Sequence, residues 1–302
     1  MWTLGIKRLL HLEDRRCRRL VMTLLLRDEE EIVERNIRSH AAMGVDGFIV
    51  TLHRSTDRTD EILERLRQER LVLEIIRAEE REYLQSKWVG EMVRIARDRH
   101  GADWVMHADA DEFYYADCQN LKDAINRNLC ANVLWVDSTF FLPDDSADFF
   151  KCPWFVTRPM SWYEAEKLGV ADNPRYREFI GSLGCVKVIH TTRGFRSIRM
   201  GNHGVEMKHA RTIHCADIRL YHYHVRNYIG YEEKIRRYAD SIRRMPGTTG
   251  RHMKRLLDIY ERGELRQEYD GKFTGEVRDF LIRNCIATRD PSVMNFMEKA
   301  GI

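Results

Sequence analysis

Several functional classes are excluded by what this 302-residue sequence lacks. Its seven cysteines (Cys17, Cys118, Cys130, Cys152, Cys185, Cys215 and Cys285) are scattered, and no Cys-x-x-Cys pair occurs, so neither a zinc knuckle nor a disulfide framework is indicated. A reducing, cytosolic setting is the expectation. No apolar run approaches the roughly 18 residues needed to cross a bilayer. The opening stretch, "MWTLGIKRLLHLEDRRCRRL", breaks its apolar patch with charge and has neither a signal-peptide core nor a cleavage site. Charged residues make up 32% of the chain, but the signs nearly cancel at +3, so this is not the polybasic composition of a nucleic-acid binder. Internal repeats and low-complexity linkers are absent as well.

What is present is periodicity. At 43% hydrophobic, the chain can build one large domain with a helical extension. "LVMTLLL" (20–26) is a continuous apolar run of strand length, as expected of a strand covered on both faces, and "GFIVTL" (47–52), "LVLEII" (71–76) and "ADWVMHA" (102–108) are the next three expected strands. Between them lie helical stripes: Ile32, Val33, Ile37 and Ala41; Ile62, Leu63 and Leu66; and Leu84, Trp88, Met92, Ile95 and Ala96. This β-α-β-α-β-α-β order predicts an α/β fold with a mostly parallel central sheet flanked by helices. Beyond residue 120 the spacing predicts a helix in "LKDAINRNL" and strands in "ANVLWVDSTFF", "GCVKVIH" (184–190) and "IRLYHYHV" (218–225). From about Tyr228 onward helical segments dominate. The expected division is an N-terminal helix or arm over 1–19, a main domain over 20–227 (donor half 20–115, acceptor half 116–227) and a helical C-terminal extension over 228–302.

In a parallel sheet ligands gather beyond the carboxyl ends of the strands. The segments expected there are "RDEE" (27–30), "HRSTD" (53–57), "RAEE" (77–80) and "DADE" (109–112). The last packs Asp109, Asp111 and Glu112 into four positions. A solvated acidic turn is one reading. The other is a nest for Mg²⁺ or Mn²⁺, which prefer oxygen ligands and share them with substrate phosphates. Without a cation, carboxylates so close would repel and one would tend to keep its proton.

From "LVMTLLLRDEEEIVERNIRSHAAMGVDGFIVTLHRSTDRTDEILERL" through "WVMHADADEFY", the sequence resembles the family 2-like glycosyltransferases, specifically a bacterial branch marked by "DADEF". The likeness spans roughly residues 20–230 and rests on "RDEE", "STDRTDEIL" and "DADEF" in order. It implies a GT-A fold, a nucleotide-diphosphate sugar donor (a UDP- or GDP-sugar), a divalent cation (Mn²⁺ or Mg²⁺) and inversion at the anomeric carbon. By that resemblance Asp109 lies near the donor ribose and diphosphate, with a share in the metal site, and Asp111 is the main carboxylate ligand. Arg27, Asp28 and Glu29 lie near the nucleotide base. Asp57 keeps its family place, although capping the following helix is its plainer role. The acidic residue that often contacts the base from the second strand is replaced by Leu52.

The resemblance also implies a late histidine ligand. In "YHYHVR" (221–226), His222 takes that place, and His224 shares its face if the strand continues. Arg226 and Lys187 are candidates for the donor phosphates, with a surface ion pair and an edge-facing lysine as their plainer roles. His203 in "GNHG" either approaches a substrate or serves the turn. Inverting transfer needs a base for the acceptor hydroxyl, and no Glu-Asp pair stands in the family's place. Asp144, Asp145 and Asp148 in "LPDDSADFF" are candidates by position only. Trp154, Trp162 and Tyr163 form either an acceptor platform or core.

The acceptor, a glycan, a lipid-linked molecule or another hydroxyl compound, is not specified. The leading expectation is a cation-dependent, cytoplasmic glycosyltransferase. Its basic face of Arg15, Arg16, Arg18 and Arg19 is either plainly solvated or in peripheral contact with the inner face of an anionic membrane. A nucleotidyltransferase is disfavoured because "RDEE" lacks the glycine-rich loop. A non-catalytic nucleotide-sugar-binding module is the remaining alternative.

Overall fold

Leu20–Leu26 is covered on both faces, as its composition requires, and every residue of this first strand, β1, is buried. The computed structural model describes residues 15–80, 84–144, 148–181, 186–244, 247 and 251–302. The chain ahead of Arg15, most of the expected arm, lies outside the described residues, as does the candidate base Asp145. After β1 come α1 (Val33–Ala42), β2 (Gly47–His53), α2 (Thr59–Gln68), β3 (Val72–Ala78), α3 (Gln85–Asp98) and β4 (Trp104–Ala108). Next are β5 (Glu112–Ala116), α4 (Leu121–Asn126), β6 (Val133–Phe141), β7 (Trp154–Val156), α5 (Trp162–Lys167) and β8 (Val186–Thr191). A hairpin of β9 (Phe195–Ile198) and β10 (Val205–Met207) follows, then β11 (Thr212–His214) and β12 (Ile218–His222). The C-terminal part holds α6 (Tyr228–Arg243), α7 (Arg251–Glu261), α8 (Leu265–Phe273), α9 (Gly275–Arg283), β13 (Ala287–Arg289) and α10 (Ser292–Ala300).

The sheet runs β3-β2-β1-β4-β8-β6. β1 is parallel to both β2 and β4, and β2 to β3, whereas β8 lies antiparallel to β4 and to β6. The architecture is therefore the expected α/β one, a mixed sheet that is parallel at its centre, flanked by helices and followed by C-terminal helices. Because β1 has β2 on one side and β4 on the other, the strand order reverses there, which is where open α/β sheets bind ligands, beyond the carboxyl ends of the strands. On one face α3 supplies Val89, Met92, Val93 and Ala96 to a core shared with Val21, Ile49 and Val105. Helix α1 stops at Gly44, whose φ of +96° an L side chain would resist.

The compact units do not follow the expected boundaries. One holds the described residues through Ser138, those of Cys185–His222, and Asn295–Ile302; the other holds those of Thr139–Gly184 and Tyr223–Met294. In the second unit Val277, Leu281 and Ile286 share a core with Leu142, Val156 and Met160, and β13 pairs antiparallel with β7. The C-terminal helices are thus not a separate extension. Their apolar faces need residues from the middle of the chain to cover them.

Two further departures bear on the site. "EFYYA", for which no strand is expected, is strand β5, antiparallel to β12. Its five residues are all buried, so alternation could not reveal it. Strand β12 also ends at His222, so the shared face expected for His224 does not exist; His224 packs edge-on against Phe140 and Phe273 in the second unit.

Helix α1 fastens β5 in place. Asn36 is fully buried, and its Nδ2 donates to the carbonyls of Ala110 (2.9 Å) and Glu112 (2.8 Å). One turn on, His40 Nδ1 donates to the Asn36 carbonyl at 2.8 Å and Nε2 accepts from the Tyr114 amide at 2.9 Å, which fixes a neutral tautomer. A second buried chain crosses β1, β4 and β8. His190 Nδ1 donates to the Thr191 carbonyl at 2.9 Å, so its Nε2 must accept from His107 Nε2, 3.0 Å away. His107 Nδ1 then accepts from the Thr23 hydroxyl at 2.6 Å. Burial pushes His40 and His190 each down to about 4, and His107 down as well.

Asn36→Ala removes the donor for two buried carbonyls, so urea unfolding should show a loss of roughly 2–3 kcal/mol; a loss under about 0.5 kcal/mol would dissolve the clamp. In the pH range below 6.5 the unfolded chain protonates these histidines while the folded protein does not until about pH 4. Their contribution is therefore complete above pH 6.5 and is lost as pH falls from 6.5 toward 4, by up to roughly 3 kcal/mol for each of His40 and His190. The urea midpoint followed over that range should drop, and His190→Gln should flatten the drop; an unchanged slope would contradict it.

Candidate functional site

The carboxyl ends of β1 and β2 are tied into one rim. Asp28 (φ +53°) and Arg54 (φ +51°) both turn the chain through the left-handed region there. The Asp28 carboxylate accepts from the Thr56 amide at 2.6 Å, and the Asp28 amide donates to Ser55 Oγ at 2.9 Å. The Glu29 amide donates to Thr59 Oγ1 (2.8 Å) and the Glu30 amide to Asp57 Oδ2 (3.0 Å). Asp57 uses its other oxygen on the Thr59 amide and hydroxyl, at 3.0 and 2.6 Å, so it both stops the start of α2 from fraying and joins the two loops. Arg27 lies 3.7 Å from the Asp28 carboxylate. Leu52 is buried and brings no carboxylate to this rim.

At the end of β4, three carboxylates take three different environments. Lys187, the second residue of β8, reaches Asp109 Oδ2 at 3.0 Å and Glu112 Oε1 at 3.1 Å. The lysine and glutamate side chains are only 2% and 1% exposed, while Asp109 is 40% exposed. Glu112 Oε2 accepts from the Asp109 amide at 2.9 Å. Both Glu112 oxygens thus face donors. Burial pushes the Glu112 carboxyl up, and the Lys187 ammonium opposes that shift. Burial would push Lys187 down, but Glu112 and Asp109 outweigh it and the net shift is upward. Lys187 is therefore charged and is not an edge-facing residue.

Asp111 points elsewhere. Its Oδ1 lies 3.4 Å from His222 Nε2, and His222 stands opposite Glu112 in the β5–β12 register, with Nδ1 4.0 Å from Glu112 Oε1. The two side chains are 11% and 17% exposed. Among the described residues no group of three His, Cys, Asp or Glu side chains is arranged to hold a metal ion. The chemistry here fits a cation with two protein donors, one carboxylate and one imidazole, its other positions falling to substrate oxygens and water.

The remaining expected residues are dispersed. His203 Nδ1 donates to the Val186 carbonyl at 2.8 Å and serves the turn before β10. Arg226 belongs to the second unit, with its guanidinium 5.7 Å from the Phe149 ring centre. There Asp148 caps a short 3₁₀ turn by accepting from the Phe150 amide at 3.2 Å. Asp144 is exposed, and the nearby Cys152 thiol donates to the Leu142 carbonyl at 3.4 Å and has its pKa pushed up to about 12 chiefly by burial. Trp162 and Tyr163 are 55% and 74% exposed, so they are not core, whereas Trp154 is half-buried beneath Arg278. Sequence reading missed Asn36 and left the role of Glu112 open. A polar residue on the apolar stripe of α1 was the available signal for Asn36.

No family model and no curated protein matches the chain. Among solved structures it is similar to a fragment (1–349) of S. aureus TarS in complex with UDP-GlcNAc, at 12% identity over 85% of this chain and 73% of that one, TM-score 0.43. It is similar to the mannosyltransferase PcManGT from Pyrobaculum calidifontis in complex with GDP-Man and Mn²⁺, at 14% identity over 89% and 82%, TM-score 0.36. It is also similar to glucosyl-3-phosphoglycerate synthase from Mycobacterium tuberculosis in complex with Mn²⁺, UDP-glucose and phosphoglyceric acid, at 14% identity over 60% and 59%, TM-score 0.31. Likeness at this level assigns no residue and transfers no activity.

Proposed function

We propose that the protein is a glycosyltransferase of GT-A type, family 2-like, that moves a sugar from a UDP- or GDP-sugar to a hydroxyl acceptor with inversion and with help from Mn²⁺ or Mg²⁺. One observation carries the reading: at the strand-order reversal, Asp111 is paired with His222 while its neighbours Asp109 and Glu112 are anchored on a buried lysine. A solvated acidic turn has no reason to bury a lysine beneath itself. In this proposal Asp111 and His222 hold the cation, and Asp109, fixed by Lys187 but half open, receives the donor's ribose and diphosphate end. The tied "RDEE" and "RSTD" loops, with Arg27 and Glu29, wall the base, and Leu52 makes that wall apolar. The cation, when bound, supplies charge against the departing diphosphate.

The acceptor oxygen forms the new bond to the anomeric carbon as the bond to the diphosphate oxygen breaks, and a carboxylate takes the hydroxyl proton. Asp148 is engaged in capping its turn, so Asp144 is the described candidate we keep for that base. Arg226 stays a candidate for the donor phosphates, and Trp162 and Tyr163 for the acceptor.

Peripheral membrane contact belongs to the same proposal. Around the amino ends of β1 and β4, Arg16, Arg18, Arg19, Arg193, Lys208 and Arg211 are exposed, and the chain segments bearing them are joined through Asp103 and Asn132. Asp103 accepts from the amides of Arg18 and Arg19. This basic end lies at the opposite edge of the sheet from the acidic one and suits an anionic lipid surface.

Calorimetric titration of UDP-, GDP- and dTDP-sugars with and without Mn²⁺ tests the reading. One donor should bind, and removal of Mn²⁺ or Asp111→Ala should weaken it at least about tenfold. Binding of no nucleotide sugar, or binding indifferent to both changes, sinks it; binding without turnover on any acceptor mixture would leave a non-catalytic module. Co-sedimentation with vesicles containing anionic lipid should be lost when Arg18 and Arg19 are changed to Glu, and vesicles of neutral lipid should not bind; equal binding to both removes the membrane assignment.

A further inference from the structure

Ahead of β10 the chain makes a turn over Arg199–Gly204, closed by the Arg199 amide donating to the Gly204 carbonyl at 2.8 Å. Two bonds fasten it to the rim that carries the acidic turn. The Gly201 amide donates at 2.9 Å to Oε1 of buried Gln85, the first residue of α3, which starts at that rim because it follows β3. His203 Nδ1 donates to the carbonyl of Val186, the residue before Lys187, whose ammonium holds Asp109. We propose that this turn recognises the transferred sugar of the donor, with His203 Nε2 accepting from one of its hydroxyls. The inference rests on the reading of the protein as a glycosyltransferase and gives that site a sugar-selecting residue.

The Val186 carbonyl can only accept, so Nδ1 of His203 carries a proton and, in the neutral ring, Nε2 carries a lone pair. The side chain is exposed, and Nε2 has no hydrogen-bond partner among the described residues. The ring is also held in place. A Cβ on Gly201 would stand 2.3 Å from Nε2, so glycine, at φ +75°, is what lets the imidazole lie there. Asn202 follows at φ +60°, a conformation that asparagine tolerates better than most L residues. It is 2% exposed, yet its Oδ1 meets no donor among the described residues. Buried polar atoms are matched almost everywhere in proteins, and one left unmatched in a strained turn points to a partner from outside the chain. Both of these atoms are acceptors. Phosphate oxygens cannot serve them, whereas sugar hydroxyls can. The ribose hydroxyls face Asp109 in the proposed arrangement, which leaves those of the transferred sugar. Nε2 is open to such a hydroxyl as the turn stands; Oδ1 is covered and is matched only as the turn settles over the sugar.

Calorimetry on the full chain with Mn²⁺ tests this, using UDP-glucose, UDP-GlcNAc and GDP-mannose, each against its own nucleoside diphosphate. His203→Ala should weaken the nucleotide sugar that the wild type binds by about fivefold, and UDP or GDP by less than about twofold. His203→Asn places an amide donor where Nδ1 stood, so it should keep the Val186 bond and the melting temperature. It has nothing in place of Nε2 and should lose the same sugar-dependent affinity. Gly201→Ala, which drives the ring aside without removing it, should do likewise. Should His203→Ala or Gly201→Ala fold poorly, His203→Asn decides alone. The proposal is overturned if these changes weaken nucleotide sugar and nucleoside diphosphate alike, if His203→Asn binds every nucleotide sugar as tightly as the wild type does, or if the wild type binds UDP or GDP but no nucleotide sugar. A nucleotide sugar whose binding depends on Mn²⁺ and Asp111 but is indifferent to His203 leaves the glycosyltransferase reading standing without this turn; binding of no nucleotide of any kind removes both.

Discussion

The buried ion cluster of Lys187 with Asp109 and Glu112 is the constraint around which the rest of the site is arranged. A lysine 2% exposed and a glutamate 1% exposed are tolerable only together. Removing one partner of such a pair costs about 3–5 kcal/mol, because the other is left charged and dry. The cluster ties the second residue of β8 to the turn after β4 and fixes that turn's shape. Its two outer carboxylates consequently differ: Asp109 leans on the lysine and stays half open, while Asp111 is turned toward β12.

A second layer holds the first. The Asn36 side chain grips the carbonyls of Ala110 and Glu112, and His40 grips the Tyr114 amide. These are backbone contacts, so they set where the acidic turn lies regardless of which side chains it bears. The neutral histidine chain from Thr23 to Thr191 does the same for the sheet beneath it, with each donor matched to one acceptor. A fully satisfied buried network of this kind specifies one arrangement of strands, and its cost appears at low pH, where each ring must stay uncharged.

The fold was legible where apolar runs and helical stripes were long. β1, β2 and β4 were readable because seven- and five-residue apolar runs between amphipathic helices have few other uses. Strand β5 was not, because "EFYYA" is buried on every side and its acidic first residue looked like part of a turn. The C-terminal helices were readable as helices but not as members of a unit with residues 139–184, since a helix's sequence shows which stripe is apolar and not what covers it. His224 was misread for the reverse reason: alternation holds only while the strand lasts, and β12 stops at His222.

By itself the sequence determined the α/β order, the strand ends at which polar residues collect, and the placing of an Asp-x-Asp pair after the fourth strand. These are local matters of period, composition and spacing. Only the tertiary structure decided which carboxylate has which neighbour. Lys187 lies 78 residues from Asp109 along the chain, and His222 and Asp111 are farther apart still. Their meeting depends on β8 lying antiparallel beside β4 and on β12 pairing with β5, and strand pairing between distant segments leaves no periodic trace in either one.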